Sequence, residues 1–274
     1  MLNSSSHTGK ILITGGTSGL GLGLVKCFLK KGYEVVATGR KNHALPDYQD
    51  RFTFCATDFS DLSQTSDAVK RICRDHRFDI VINNAGVLNP PDFQLTCDGY
   101  EYSFQVNFLS HLLINEIIIR NNGYERPLKI GATVSLVYRF AENDLIINNS
   151  DKNYRPLKAY SNSKLYLALM CSYLPHKYQS CNLRCIGFDP GVFSSEIYRM
   201  QKGWFRFLYK IAAPFMKDPE KIAAIYGRLI ERDDLVNGAV YKSGKRTGTV
   251  PETENQAVNA FWQECYKIIE PWLK

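Results

Sequence analysis

Residues Lys10–Gly21 read K-I-L-I-T-G-G-T-S-G-L-G, a short apolar run that ends in a glycine-rich turn. A helical pattern follows at Leu20–Lys31 and stops at Gly32. This order predicts a β-strand that enters a helix through a tight turn. Glycines let backbone N–H groups approach an anion, and a helix N-terminus adds a favourable dipole. The stretch therefore predicts a pyrophosphate-binding turn, with a purely structural turn as the alternative.

Strand and helix patterns alternate along the rest of the chain. The first strand is predicted at Lys10–Thr14, and the others at Glu34–Thr38, Phe52–Cys55, Asp79–Asn83, Leu128–Ser135 and Leu183–Phe188. Further helices are predicted at Asp61–His76 (capped by Asp61 or Ser63), Tyr100–Arg120 and Lys158–Tyr178. Continuous apolar strands that alternate with helices favour a parallel sheet covered on both faces. We predict an α/β fold: one doubly wound Rossmann-type domain over residues 1–274.

Composition excludes several classes of protein. The 274 residues are 45% hydrophobic and 22% charged. The net charge is +7, and no long Lys/Arg run concentrates it in one stretch. Nucleic-acid binding is therefore not indicated. The eight cysteines are scattered without a C-x-x-C pair, so we expect no metal site.

The chain shows no targeting or membrane signal. Residues Met1–Lys10 lack an apolar signal core, and no stretch approaches ~18 uncharged apolar residues. We therefore expect a cytoplasmic protein with reduced cysteines and no transmembrane segment. The sequence does not decide between a monomer and a homo-oligomer.

The end of the second predicted strand indicates which dinucleotide is bound. Residues 37–41 read A-T-G-R-K, without the carboxylate that would hold a ribose 2′-hydroxyl. A guanidinium binds a 2′-phosphate through paired hydrogen bonds. Arg40, with Lys41 behind it, therefore predicts NADP(H), and a solvated turn is the alternative interpretation.

Tyr160 and Lys164 lie four residues apart in A-Y-S-N-S-K-L, on one face of a predicted helix. An ammonium beside a phenol favours the phenolate, so Lys164 is expected to lower the pKa of Tyr160. Such a pair suits the interconversion of a carbonyl and an alcohol, provided that a cofactor supplies the hydride.

Several motifs, in order through nearly the whole chain, resemble those of the short-chain dehydrogenase/reductase family. They are the T-G-G-T-S-G-L-G turn at Thr14–Gly21, Asp58, the N-N-A-G at Asn83–Gly86, Asn107, Ser135, Tyr160 with Lys164, and the D-P-G-V at Asp189–Val192. The resemblance implies that Ser135 positions the substrate oxygen and Tyr160 is the general acid/base. It also implies that Lys164 holds the nicotinamide ribose and Asn107 orders a water that passes protons onward.

The same resemblance, with the glycine-rich turn and Arg40, defines a predicted cofactor-binding set. It comprises Gly15, Thr17, Ser18, Gly19, Leu20, Gly21, Arg40, Lys41, Asp58, Asn84, Ala85, Gly86, Tyr160, Lys164, Pro190, Gly191, Val192 and Ser194. Many relatives have a threonine where this chain has Ser194 or Ser195, so the carboxamide contact is assigned to one of these serines.

The stretch between Ser135 and Tyr160 is longer than in many relatives, and residues 141–155 are predicted to form a polar surface loop. This length resembles the branch that contains retinol dehydrogenases and their WW-domain-linked relatives. The motifs at Asp98–His111, Asp218–Ala224 and Ala260–Tyr266 resemble the same branch.

Residues 192–216 are rich in aromatic side chains interleaved with Arg and Lys. We predict that they form a flap over an apolar substrate, with packing on the core as an equal alternative. The basic residues suit a solvated face or peripheral contact with a membrane. His111, near Asn107, is interpreted as a packed histidine.

The function predicted is that of an NADP(H)-dependent oxidoreductase acting on a largely apolar small-molecule carbonyl or alcohol, with Tyr160 as general acid/base. The alternative is a catalytically weak NADP(H)-sensing or scaffolding protein of the same fold. A nucleotide-sugar epimerase is disfavoured, because the chain leaves no room for a sizeable sugar-binding domain.

Overall fold

The apolar runs of the chain assemble into one sheet. The computed structural model describes residues 9–88, 92–141, 145, 147, 149–152, 154–191, 218–249 and 256–274. Within these ranges eight strands pair in the order β3-β2-β1-β4-β5-β6-β7-β8, and only the last pair is antiparallel. The strands are β1 (Lys10–Thr14), β2 (Glu34–Gly39), β3 (Phe52–Ala56), β4 (Ile80–Asn83), β5 (Leu128–Thr133), β6 (Leu183–Asp189), β7 (Ala239–Lys242) and β8 (Lys245–Thr249).

Helices connect the parallel strands and cover both faces of the sheet. They are α1 (Gly19–Lys30), α2 (Leu62–Asp75), the single turn α3 (Tyr102–Phe104), α4 (Ser110–Asn122), α5 (Pro156–Lys177), α6 (Pro219–Ile230) and α7 (Gln256–Ile269). The buried side chains of α1 and α6 pack on one face, and those of α2, α4, α5 and α7 pack on the other. The predicted α/β fold is confirmed. Among the described helices, none combines the length and apolarity needed to cross a bilayer.

The strand order reverses between β1 and β4. The chain builds outward from β1 through β2 to β3, then crosses back so that β4 pairs with the other side of β1. Ligands of open α/β sheets bind in the crevice at the carboxyl ends of the strands where the order reverses. The residues that follow β1, β4 and β5 therefore line the candidate site.

The π-helical turn and the two C-terminal strands differ from the predictions, whereas the cap of α2 agrees with them. The long helix predicted at Tyr100–Arg120 is interrupted by a π-helical turn at Gln105–Leu109. Such turns have no hydrophobic period of their own, so sequence periodicity does not detect them. Strands β7 and β8 also escaped prediction, because β7 is short and β8 (K-R-T-G-T) is polar. The predicted cap of α2 is confirmed as Asp61, whose carboxylate accepts from the Gln64 N–H at 2.8 Å.

The insertion at residues 141–155 is only partly a surface loop. Among its described residues, Leu145 and Ile147 pack against the core, and the Tyr154 ring stacks edge-on against Phe93 at 5.4 Å. The Asn149 side chain accepts from the Glu101 N–H at 3.2 Å. The prediction of a polar surface loop therefore holds for the exposed residues 149–152, whereas the partly buried Leu145, Ile147 and Tyr154 attach the stretch to the rest of the fold.

A buried carboxylate joins three of the four helices on the face that carries α5. Glu116 of α4 is fully buried and pairs with Lys177 of α5 at 2.9 Å and with Arg120 at 3.4 Å. It also accepts hydrogen bonds from the hydroxyls of Tyr178 and of Tyr266 in α7. A buried charge is stable only when it is paired and hydrogen-bonded, so this cluster holds α4, α5 and α7 in one arrangement.

Replacement of Glu116 by glutamine tests this role. The amide cannot neutralise Lys177 and Arg120, so we expect E116Q to lower the free energy of unfolding by about 2–4 kcal/mol. Urea denaturation measures the loss, and the exposed Glu264→Gln on α7 is the control, with a change within ~0.5 kcal/mol. Equal stability of the two variants would contradict the prediction.

Candidate functional site

The glycine-rich turn is pressed against the loop that follows β4. Gly15 has a φ of +64°, and a Cβ added there would lie 2.8 Å from the Ala85 Cα. A Cβ on Gly21 would lie 2.1 Å from the Gly15 carbonyl oxygen. Any side chain at these two positions would therefore push the turn away from its neighbours, and the close packing requires glycine.

The N-terminus of α1 lies at this turn. Ser18 is the N-cap, its side chain makes no capping hydrogen bond, and the first turn holds no acidic residue. The first N–H groups of a helix need acceptors, and the dipole there favours an anion. Of the predicted contact residues, Ser18 is exposed, Thr17 and Gly19 are half-buried, and Leu20 packs into the core.

Arg40 and Lys41 follow β2 directly and are both exposed. Gly39, the last residue of β2, lies against Thr17: a Cβ on it would be 3.0 Å from the Thr17 hydroxyl oxygen. The two cations therefore emerge beside the glycine-rich turn. Asp58 follows the neighbouring strand β3, where its carboxylate accepts from the N–H and hydroxyl of Ser60 at 3.0 and 2.8 Å.

The Thr14 hydroxyl ties the turn to the N-N-A-G segment. It accepts from the N–H groups of Asn84 and Ala85 at 2.8 and 3.0 Å, and it lies 2.9 Å from His111 Nε2. The Asn84 amide also donates to the Thr14 carbonyl at 3.1 Å. The hydroxyl's own proton has two acceptors within reach, His111 Nε2 at 2.9 Å and the Ile82 carbonyl at 3.3 Å.

His111 connects the hydrogen bonds of Thr14 to the π-helical turn. It is fully buried, and its Nδ1 lies 2.9 Å from the Asn107 carbonyl oxygen. Burial lowers the pKa of His111 to about 4, so the imidazole is neutral and donates from Nδ1. The interpretation of His111 as a packed residue is confirmed, but its link between Thr14 and Asn107 went unrecognised. The only signal was its four-residue spacing from Asn107.

The Asn107 amide is fully engaged by protein groups. Its Oδ1 accepts from the Val87 N–H at 2.7 Å, and its Nδ2 donates to the Val87 carbonyl and to Ser163 Oγ at 3.0 Å each. Ser163 Oγ donates in turn to the Tyr160 carbonyl at 2.7 Å. Sequence reasoning missed Ser163, although it lies three residues after Tyr160 on the same helix.

Lys164 is buried at the carboxyl end of β5. Only 3% of the residue is exposed, and its ammonium donates to the Thr133 carbonyl at 2.8 Å. The ammonium lies 5.7 Å from the centre of the Tyr160 ring, as expected for two residues on one helix face. Burial lowers the pKa of Lys164 from 10.5 to about 8.

Ser135 follows β5 two residues beyond Thr133. It is half-buried, and its hydroxyl accepts from the Val137 N–H at 3.4 Å as the cap of a short 3-10 turn at Leu136–Phe140. The bond from Lys164 to Thr133 attaches this end of β5 to α5. The structure thus links Asn107, Ser135, Tyr160 and Lys164 through contacts of adjacent elements at one edge of the sheet.

The D-P-G segment completes the described part of this edge. Asp189 ends β6, and its carboxylate accepts from the Gly191 N–H at 3.0 Å. Gly86 lies close to two predicted site residues: a Cβ there would be 3.1 Å from Asn107 Oδ1 and 3.7 Å from Lys164 Nζ. Val192, Ser194 and the predicted flap at 192–216 lie outside the described residues.

One cluster of candidate metal ligands occurs among the described residues, at the start of α2. Ligand atoms of Asp61, Cys97 and Asp98 lie within 4.8 Å of one another. Both carboxylates already accept hydrogen bonds, Asp61 from Gln64 N–H and Asp98 from Leu62 N–H at 2.9 Å. These bonds give the carboxylates a structural role at the start of α2.

Comparisons with known proteins agree with this geometry. Residues 9–123 match the family model described as short chain dehydrogenase. An uncharacterised oxidoreductase of Schizosaccharomyces pombe is 26% identical, with 96% of this chain and 86% of that protein covered. Retinol dehydrogenase 13 of Mus musculus is 24% identical, with coverages of 94% and 83%. These matches support membership of the short-chain dehydrogenase/reductase family.

The similarity to retinol dehydrogenases supports the retinol dehydrogenase-like branch of this family, whose members use a nicotinamide cofactor. A solved structure shares the fold of this chain: the 3-ketoacyl-(acyl-carrier-protein) reductase of Brucella melitensis, determined in complex with NADH. The TM-score is 0.64 at 19% identity, with 85% of this chain and 96% of that chain covered. The comparisons support the predicted family and branch.

Burial of the charged Lys164 side chain lowers the free energy of unfolding, and a substitution can measure this effect. Below pH 8 the ammonium is charged in the folded and the unfolded chain, so the full penalty of burying it applies. Between pH 8 and 10.5 only the unfolded chain keeps the Lys164 proton. The penalty for burying the charge therefore disappears, and the free energy of unfolding rises as the pH increases. The pKa shift from 10.5 to about 8 corresponds to about 3 kcal/mol near neutral pH.

We therefore expect Lys164→Met to stabilise the fold at pH 7, even though it removes a proposed catalytic group. The unpaired Thr133 carbonyl offsets part of the gain, which leaves about 1–2 kcal/mol. Urea denaturation should show the gain at pH 7 and its loss by about pH 10, while the exposed Lys267→Met serves as control. A destabilised variant at pH 7 would show that the buried ammonium is fully compensated.

Proposed function

We propose that the chain is an NADP(H)-dependent oxidoreductase that interconverts a carbonyl and an alcohol on a largely apolar small molecule. The observation that carries the proposal is the buried Lys164 ammonium. It shares a helix face with Tyr160 and bonds to the end of the strand that leads to Ser135. Within this proposal, residues 1–274 act as one dinucleotide-binding domain.

The glycine-rich turn fits the pyrophosphate of a dinucleotide. Its close packing leaves no room for side chains at Gly15 and Gly21, and the first turn of α1 offers backbone N–H groups without a capping side chain. An anion is the natural partner of such a helix end. Asn84, Ala85 and Gly86 border the same crevice, and Asp58 lies at the carboxyl edge where an adenine would reach β3.

The residues at the end of β5 supply the proton chemistry. In this proposal Ser135 donates a hydrogen bond to the substrate oxygen, and Tyr160 gives that oxygen its proton during reduction or removes it during oxidation. Lys164 holds the nicotinamide ribose and places a positive charge beside Tyr160. Asn107 and Ser163 hold the backbone around Tyr160. The nicotinamide, when bound, supplies or accepts the hydride.

Arg40 and Lys41 support a preference for the 2′-phosphorylated cofactor. Both are exposed next to the glycine-rich turn, and residues 37–41 include no carboxylate to repel a phosphate. A guanidinium forms strong paired bonds with phosphate oxygens. We therefore propose NADP(H) rather than NAD(H).

Exposed apolar side chains in the segments that carry Ser135 and Tyr160 support an apolar substrate. Phe140, in the turn that follows Ser135, is 78% exposed, and Leu157, at the start of α5, is 62% exposed. The name of the mouse relative refers to retinol, itself an apolar alcohol. Apolar pocket walls with a few polar groups are typical of small-molecule sites.

Tyr160→Phe tests the acid/base assignment. Loss of the hydroxyl should reduce kcat by about 10³-fold while NADPH affinity stays within about twofold, because general acid/base catalysis contributes mainly to the chemical step. NADPH consumption with a panel of ketones and aldehydes gives kcat, and fluorescence titration gives affinity. The exposed Tyr124→Phe is the control. Near-full activity of Y160F would refute the assignment.

Arg40→Asp tests the cofactor preference. The substitution removes a charge-assisted bond and adds repulsion, so the Kd for NADPH should rise about 10²-fold and that for NADH no more than about threefold. Arg74→Asp, on the exposed face of α2, makes the same change in net charge and should alter neither. Equal effects of R40D on both cofactors would contradict the NADP(H) proposal.

A further inference from the structure

An ion pair lies at the carboxyl edge of the sheet, outside the predicted set of site residues. Asp189 and Lys242 are the last residues of β6 and β7, and they face each other in the strand register. The Lys242 ammonium lies 3.4 Å from Asp189 Oδ2. Asp189 is almost fully buried, whereas the Lys242 side chain is 41% exposed.

Both side chains point toward the face of the sheet that carries α5. Phe188 and Tyr241, which precede them, lie in the core beneath α1 and α6. Successive side chains of a strand point to opposite faces. Asp189 and Lys242 therefore share a face with Tyr160 and its helix.

Both residues of the pair contact the Pro190–Gly191 turn. The Asp189 Oδ1 accepts the Gly191 N–H at 3.0 Å and folds the turn back onto β6. Gly191 has a φ of +72°, and a Cβ on it would lie 3.7 Å from Lys242 Cε. One carboxylate oxygen thus bonds to the turn, and the other faces the lysine whose stem packs beside it.

Charge compensation makes the two residues interdependent. A buried carboxylate that loses its cation strongly destabilises the fold. Among the described residues Lys242 is the cation that pairs with Asp189, so its loss would remove that compensation from the carboxylate that bonds to Gly191.

We propose that Asp189 and Lys242 form a positioning pair that fixes the Pro190–Gly191 turn against the bound nicotinamide. The inference rests on the proposed function, which places the cofactor in the crevice at this edge. Neither residue takes part in proton or hydride transfer. Their role is to hold the turn at one distance from Tyr160 and Lys164.

Four variants test the pair: Lys242→Met, Lys242→Arg, Asp189→Asn and the double variant D189N/K242M. K242M should raise the Kd for NADPH about tenfold and lower kcat, because it leaves the buried carboxylate unpaired. K242R should keep both within about twofold, since it retains the charge. Asp189→Asn keeps an oxygen for Gly191, so D189N/K242M should bind NADPH more tightly than K242M alone.

Lys245→Met is the matched control, because Lys245 faces Lys242 across the hairpin and is exposed. Thermal unfolding without cofactor separates positioning from stability. If K242M behaves like K245M, if its effect is confined to the melting temperature, or if the double variant is no better than K242M, the inference is overturned. Failure of the unaltered chain to bind NADPH and NADH would refute the proposed function and the inference with it.

Discussion

The hydroxyl of Thr14 is the junction on which the site depends. It ends β1 at the point where the strand order reverses, and it bonds to two backbone N–H groups after β4 and to a neutral histidine of α4. A buried hydroxyl with all its bonds made is costly to disturb, because each lost bond leaves a group without a partner. The glycine-rich turn, the N-N-A-G segment and the π-helical turn therefore keep one mutual position.

On the other side of the crevice, the burial of Lys164 is energetically unfavourable. Lys164 is held in the interior with a carbonyl oxygen as its partner, and burial lowers its pKa. Natural proteins tolerate such unfavourable burial at functional sites, where the surrounding structure holds the group in place. Glu116 contributes to that restraint by fastening α5, which carries Lys164, to α4 and α7.

Paired charges recur where the chain must hold a fixed geometry. Glu116 is buried among cations and phenols, whereas among the described residues Asp189 has a half-exposed lysine and one backbone N–H as partners. The first arrangement fixes helices to one another, and the second fixes one turn. Both follow from the same constraint, since a carboxylate inside a protein must keep its cation and its hydrogen bonds.

Local patterns in the sequence determined the α/β alternation, the glycine-rich turn, the Asp61 cap and the placement of Tyr160 and Lys164 on one helix face. These features depend on residues a few positions apart, so periodicity and turn chemistry report them directly. Only the tertiary structure decided the contacts of the Thr14 hydroxyl with α4, the cluster around Glu116, and the pairing of Asp189 with Lys242. The physical reason is that these contacts join side chains distant in the chain, and strand order and helix packing alone bring them together.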